Sequence, residues 1–208
     1  MEYFFKINLP ELVKAKVITD FFFMFITLIF VVNFTSELFM IAAYFLIYPY
    51  IYLTNRVEAL RYLVVSTIVA LIWVLIANNL YSYSYVVIDV MGISVYPFFA
   101  WASGLFGLYI IYTHIQDRLK LRNWRSKLMV FFSLYWPLLI ALETIAYHVF
   151  DIKNLQTVAY SGLPLCDCIH APVWMQLSYL ALGPLFFIIC LITEKKIKDI
   201  GRTTLLNS

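Results

Sequence analysis

Charge is scarce in this chain. Charged residues make up 13% of its 208 positions, where a soluble domain carries about a quarter. Hydrophobic residues make up 63%, against roughly half in a soluble domain. So much apolar surface has no arrangement compatible with water, and an ordinary soluble domain is excluded. Phosphate-binding loops, dinucleotide loops, His-Glu-x-x-His and Gly-x-Ser-x-Gly patterns are all missing. Residues 1–10 carry charges and lack the apolar core of a cleavable leader. Internal repeats and low-complexity linkers are missing too, so one membrane domain over 1–208 is the economical organisation. No nucleic-acid partner is expected; the expected partners are the lipid bilayer and an apolar or lipid substrate.

What is present is a set of apolar runs. A spanning helix needs about 20 apolar residues, because the hydrocarbon core is about 30 Å thick. Six segments meet or approach this, at roughly 17–33, 38–53, 62–80, 93–115, 128–150 and 173–193. The first two are short and separated only by Phe34 to Glu37, as in a tight helical hairpin. The expected fold is an all-α, multi-pass integral membrane protein, a bundle of about six transmembrane helices.

The basic residues give the orientation. Fourteen of the fifteen Lys and Arg residues fall before the first span, after the sixth, or in alternate loops; Lys153 is the exception. Cytoplasmic segments retain Lys and Arg, so both termini are expected to be cytoplasmic, in an inner or plasma membrane. Residues 1–16 are expected along the inner surface. Pro49, Pro97, Pro137 and Pro184 interrupt four of the spans, each removing a backbone donor. Ala100-xxx-Gly104 and Ser103-xxx-Gly107 place small residues on the fourth span, a pattern that favours close helix packing.

Glu143 stands out among the polar residues. It lies seven residues before Phe150, roughly 10 Å inside the outer end of the fifth span. An unpaired carboxylate at such depth costs about 3 kcal/mol or more, and no Lys or Arg lies at that depth. An acid in a membrane interior marks a functional site by default. Glu143, Tyr147 and Asp151 recur every fourth residue, and His148 is three residues from Asp151, so they are expected on one side of the helix. Glu143 and Asp151 are the candidate catalytic residues.

The outer loop before the last span contains Cys166, Asp167, Cys168 and His170. If extended, Cys166, Cys168 and His170 share one face, since side chains alternate along a strand. With His148 arriving from the preceding helix, these four residues are candidate metal ligands. Thiolate and imidazole suit zinc or another transition metal. The spacing is tighter than the usual two to four residues between zinc-binding cysteines, and the pair equally suits a disulfide in an extracytoplasmic compartment. Cys190, deep in the sixth span, is expected to pack.

Four functions are compatible with this pattern. The first is a metal-dependent, membrane-embedded enzyme acting on a lipid or other apolar substrate. The second is a transporter of protons, metal ions or small solutes through Glu143. The others are a non-catalytic scaffold or assembly factor and a thiol–quinone oxidoreductase using Cys166 and Cys168.

Overall fold

A computed structural model describes residues 9–34, 37–82, 88–90 and 93–206. The expected surface segment lies outside the described residues over 1–8. Thr35 and Ser36 of the first hairpin turn lie outside them as well. The described residues form six α-helices: α1 (Leu9–Phe34), α2 (Glu37–Leu53), α3 (Leu60–Ala77), α4 (Val95–Leu119), α5 (Trp124–His148) and α6 (Val173–Leu206). Single 3-10 turns at Val57–Ala59 and Asn78–Leu80 flank α3. A two-residue antiparallel pair, β1 (Asp89–Val90) and β2 (Ile93–Ser94), precedes α4.

Among the described residues, four helical segments are long and apolar enough to cross a membrane: Val57–Leu80, Val95–Leu119, Trp124–His148 and Val173–Ile197. Helix α2 is shorter, at 17 residues. At about 1.5 Å per residue it rises roughly 25 Å, short of the about 30 Å hydrocarbon core. Large apolar side chains cover the outside, among them Ile72, Ile76, Met129, Leu177, Leu185 and Ile192. An aqueous surface does not tolerate a patch of that extent, whereas lipid does.

Several helix ends differ from expectation for local reasons. Helix α5 begins earlier than 128 because the Asn123 side chain accepts the Arg125 N–H at 3.1 Å, capping a free backbone donor. Helix α4 ends where Lys120 takes a left-handed conformation, φ 51°. Pro97 does not interrupt a span: it lies in the first turn of α4, where the missing N–H would have had no helical partner. Pro49, Pro137 and Pro184 do lie inside their helices.

Helix α4 is central and touches each of the other five helices. In lipid, helices associate through close packing and interhelical bonds, because hydrocarbon is as apolar as leucine. Ala70 and Ala77 of α3 and Ala102 of α4 are almost wholly buried and allow close approach. Phe131 and Phe187 stack at 4.1 Å between ring centres, joining α5 to α6. Gly183 of α6 lies against the Tyr135 ring, so near that an added Cβ would overlap the ring carbons. Gly183→Ala is therefore expected to cost about 1–3 kcal/mol of stability, read as a lower unfolding temperature in detergent. The glycines of α4 behave differently from expectation. A Cβ on Gly104 or Gly107 would meet nothing within 4 Å; open space lies in front of them in place of a packed helix.

Polar contacts tie the helices at both ends of the bundle. At one end Glu37, buried in the first turn of α2, accepts the Ile88 N–H. There Asn154 also accepts the Ser82 N–H at 3.0 Å and donates to the Leu80 carbonyl at 2.6 Å. At the opposite end Asp20 of α1, 1% exposed, takes two bonds from Arg56, Nη1 to Oδ2 at 2.7 Å and Nη2 to Oδ1 at 2.6 Å. Tyr50 donates to Asp20 Oδ1 and His114 Nε2 bonds Oδ2. Both carboxylate oxygens are thus engaged twice, and one acid joins α1, the C-terminal end of α2 and α4.

Candidate functional site

Between α4, α5 and α6, at the Asn154 end of the bundle, lies a cavity of about 230 Å³. Aromatic and aliphatic side chains form most of its wall, with Glu143, Asn154, Thr157 and His170 as polar members. Its roof is the loop between α5 and α6. Asn154 fixes the start of that loop to the end of α3, and Gln176 Nε2 holds its far end by donating to the carbonyls of Ser161 and Ile169 at 2.8 and 3.2 Å.

Glu143 is half-buried and lines this cavity. Among the described residues it makes no hydrogen bond or ion pair, unlike Asp20 at the opposite end. A carboxyl group in an apolar wall without a bonded partner is expensive to keep, and such a group is characteristic of functional sites.

The wall residues Trp101, Tyr135 and Tyr179 belong to a network that sequence spacing did not reveal. Trp73 Nε1 donates to Tyr81 Oη at 2.8 Å, and Trp101 Nε1 donates to the same oxygen at 3.3 Å. Indole nitrogens only donate, so Tyr81 accepts both bonds, and its oxygen also shares a hydrogen bond with Tyr179 Oη at 2.8 Å. Tyr135 donates to the Tyr179 carbonyl. These residues come from α3, α4, α5, α6 and the segment after α3. A helical period along one segment cannot register contacts among five.

The other candidates are placed differently from Glu143. Helix α5 stops at His148, and Asp151 follows in a left-handed conformation, φ 54°. The expected stripe of Glu143, Tyr147 and Asp151 is therefore broken. Asp151 is 80% exposed and paired with Lys153. The hydrogen bond to Asp151 raises the Lys153 ammonium above its ordinary value. Tyr147 remains in the cavity wall, its ring stacked on His170 with centres 4.3 Å apart.

The Cys166–His170 segment is a turn, not an extended strand. Asp167 and Ile169 both have positive φ, 44° and 53°, and Cys166 and Cys168 are joined by a disulfide. Gly162 permits the turn: a Cβ there would lie 2.8 Å from the Asp167 carbonyl carbon and 3.0 Å from the Cys168 nitrogen. His148 Nε2 bonds the carbonyl oxygens of Cys166 and Asp167, at 3.1 and 3.0 Å. His170 Nδ1 bonds the Tyr160 carbonyl at 2.7 Å and Nε2 the Asp167 carbonyl at 3.0 Å. Backbone carbonyls engage Nε2 of His148 and both ring nitrogens of His170, and the two sulfurs bind one another. Among the described residues no group of three or more His, Cys, Asp or Glu is arranged to hold a metal ion. This arrangement gives no support to a zinc or other transition-metal site at His148, Cys166, Cys168 and His170. The segment instead forms part of the cavity roof.

Thiol counting tests this arrangement. Unfolded without reductant, the protein is expected to show Cys190 as its one free thiol; three reactive thiols would remove the disulfide.

Comparison of the chain with protein-family models, with curated proteins and with solved structures finds no match.

Proposed function

We propose that this is a six-span membrane enzyme with both termini cytoplasmic, binding an apolar, lipid-like substrate in the cavity and exchanging a proton with it through Glu143. The observation that carries this reading is the Glu143 carboxyl group, without a bonded partner among the described residues, in a wall built mostly of aromatic and aliphatic side chains. An ionic or strongly polar solute would find few partners there, which favours an apolar substrate over transport of an ion.

The chemistry available to such a wall is proton transfer to carbon. The Glu143 carboxyl group gives its proton to an unsaturated carbon. The π electron pair forms the new C–H bond, leaving a cation on the neighbouring carbon. Trp101, Tyr135, Tyr147 and Tyr179 line the cavity where that cation forms, and aromatic rings stabilise cations. Loss of a proton from an adjacent carbon to the Glu143 carboxylate restores the acid. The net change is a rearrangement of the substrate that needs no metal and no oxidant.

Membranes containing the protein, incubated with a lipid extract in deuterated water, test the reading. Non-exchangeable deuterium is expected in an apolar lipid with the wild type and not with Glu143→Gln, measured by mass spectrometry. Equal incorporation in both samples overturns it.

A further inference from the structure

A second cavity, of about 350 Å³, lies between α1, α2, α4 and α5. Ala100, Gly104, Leu108, Leu138 and Leu142 line it and the Glu143 cavity alike. We infer that the two cavities form one elongated site, joined at Gly104, for a linear apolar molecule held extended. The inference rests on the reading of the Glu143 cavity as a substrate site and extends it to the form of the substrate.

Three observations support the join. The first is the empty space in front of Gly104 and Gly107: Gly104 borders both cavities and Gly107 only the second. A larger side chain at either position would project into the site, so the small residues keep it open.

The second is length. Along α4 the lining runs from Tyr96 in the first cavity to Ile111 in the second, which at about 1.5 Å per residue is roughly 22 Å. That exceeds one leaflet's share, about 15 Å, of an about 30 Å core, so the site takes its chain extended rather than coiled as in the bilayer. The two volumes together fall in the range of about 300–1,000 Å³ typical of small-molecule sites.

The third is the chemistry of the far end. The second cavity is lined mainly by apolar residues such as Phe23, Met24, Met40 and Ile47, with hydroxyls at Thr27 and Ser103. It reaches Asp20 and Tyr50, but both Asp20 oxygens are already taken by Arg56, Tyr50 and His114. The ion pair closes that end without offering a free charge, so the part of the substrate lying there is hydrocarbon. Reactive unsaturation or a polar group belongs at the Glu143 end.

The test uses a linear isoprenoid alcohol of matching length in two forms, with a photoreactive diazirine beside the hydroxyl or at the methyl end. Full-length protein in lipid nanodiscs is irradiated, and labelled peptides are mapped by mass spectrometry. The hydroxyl-end probe is expected to label α5 and α6 near Glu143, and the methyl-end probe to label α1 and α2 near Met24 and Met40. Gly107→Phe, or Ser103→Phe if the first variant does not fold, is expected to lose the methyl-end labels; both residues border only the second cavity. A shorter alcohol confined to the Glu143 cavity should still label both variants as it labels the wild type. Labels near Glu143 without labels near Met24 and Met40 in the wild type would overturn the joined site and leave the Glu143 reading standing. Methyl-end labels that survive both substitutions would also overturn it, because the probe would then be reaching α1 and α2 from the bilayer. Absence of labels at both places would overturn both readings.

Discussion

Asp20→Ala is expected to destabilise the protein by about 3–5 kcal/mol, the range for removing one partner of a buried ion pair. The loss is large because Arg56, only 17% exposed, would keep its charge with no acceptor for the two bonds it now gives to Asp20. Tyr50 and His114 would lose the same acceptor, and α1 would lose its polar tie to α2 and α4. Asp20→Ala combined with Arg56→Met is expected to recover much of the loss, since removing both charges leaves neither uncompensated. Thermal unfolding of the three proteins in one detergent checks this. If the double variant is no better than the single one, helix geometry rather than charge pairing is what Asp20 supplies. Tyr50→Phe should cost less, about 1 kcal/mol, because it removes one donor and leaves the ion pair in place.

Glu143→Gln is expected to reduce deuterium incorporation by about 10²–10⁴-fold, the contribution of a positioned general acid or base. The amide keeps the shape of the side chain and removes its acidic proton. Its unfolding temperature should stay close to that of the wild type, because Glu143 makes no hydrogen bond or ion pair among the described residues. The two readouts together separate catalysis from support of the fold. A large fall in unfolding temperature with Glu143→Gln would mark the residue as part of the scaffold, and full activity would assign the proton transfer to another group. Glu143→Asp retains the acid on a shorter side chain and is expected to give intermediate activity.

Glu143 was legible in the sequence because it is a single acid inside an apolar run, and its depth follows from counting residues. The meeting of Asp20 and His114 at one carboxylate was not legible in the sequence. They are 94 positions apart, and Arg56 read only as a topogenic charge. The loop cysteines show the opposite case. Their identity and spacing were read correctly, but the side on which each pointed depended on backbone angles. Positive φ at Asp167 and Ile169 folds the segment into a turn, where an extended strand would have set Cys166, Cys168 and His170 side by side. The α4 glycines carried a pattern that fits either close helix packing or an open wall, and only the neighbouring helices distinguish the two.

The sequence by itself determined the class of the protein, the approximate positions of its apolar helices, and the isolation of Glu143. Each of these depends on composition and on local periodicity, which act within one segment. Tertiary structure decided what surrounds Glu143: the Tyr81 and Tyr179 network, the Asn154-anchored roof, the engaged Asp20 and the open space at Gly104. These arise where side chains from several helices converge, at distances set by packing and hydrogen bonding that no single segment encodes.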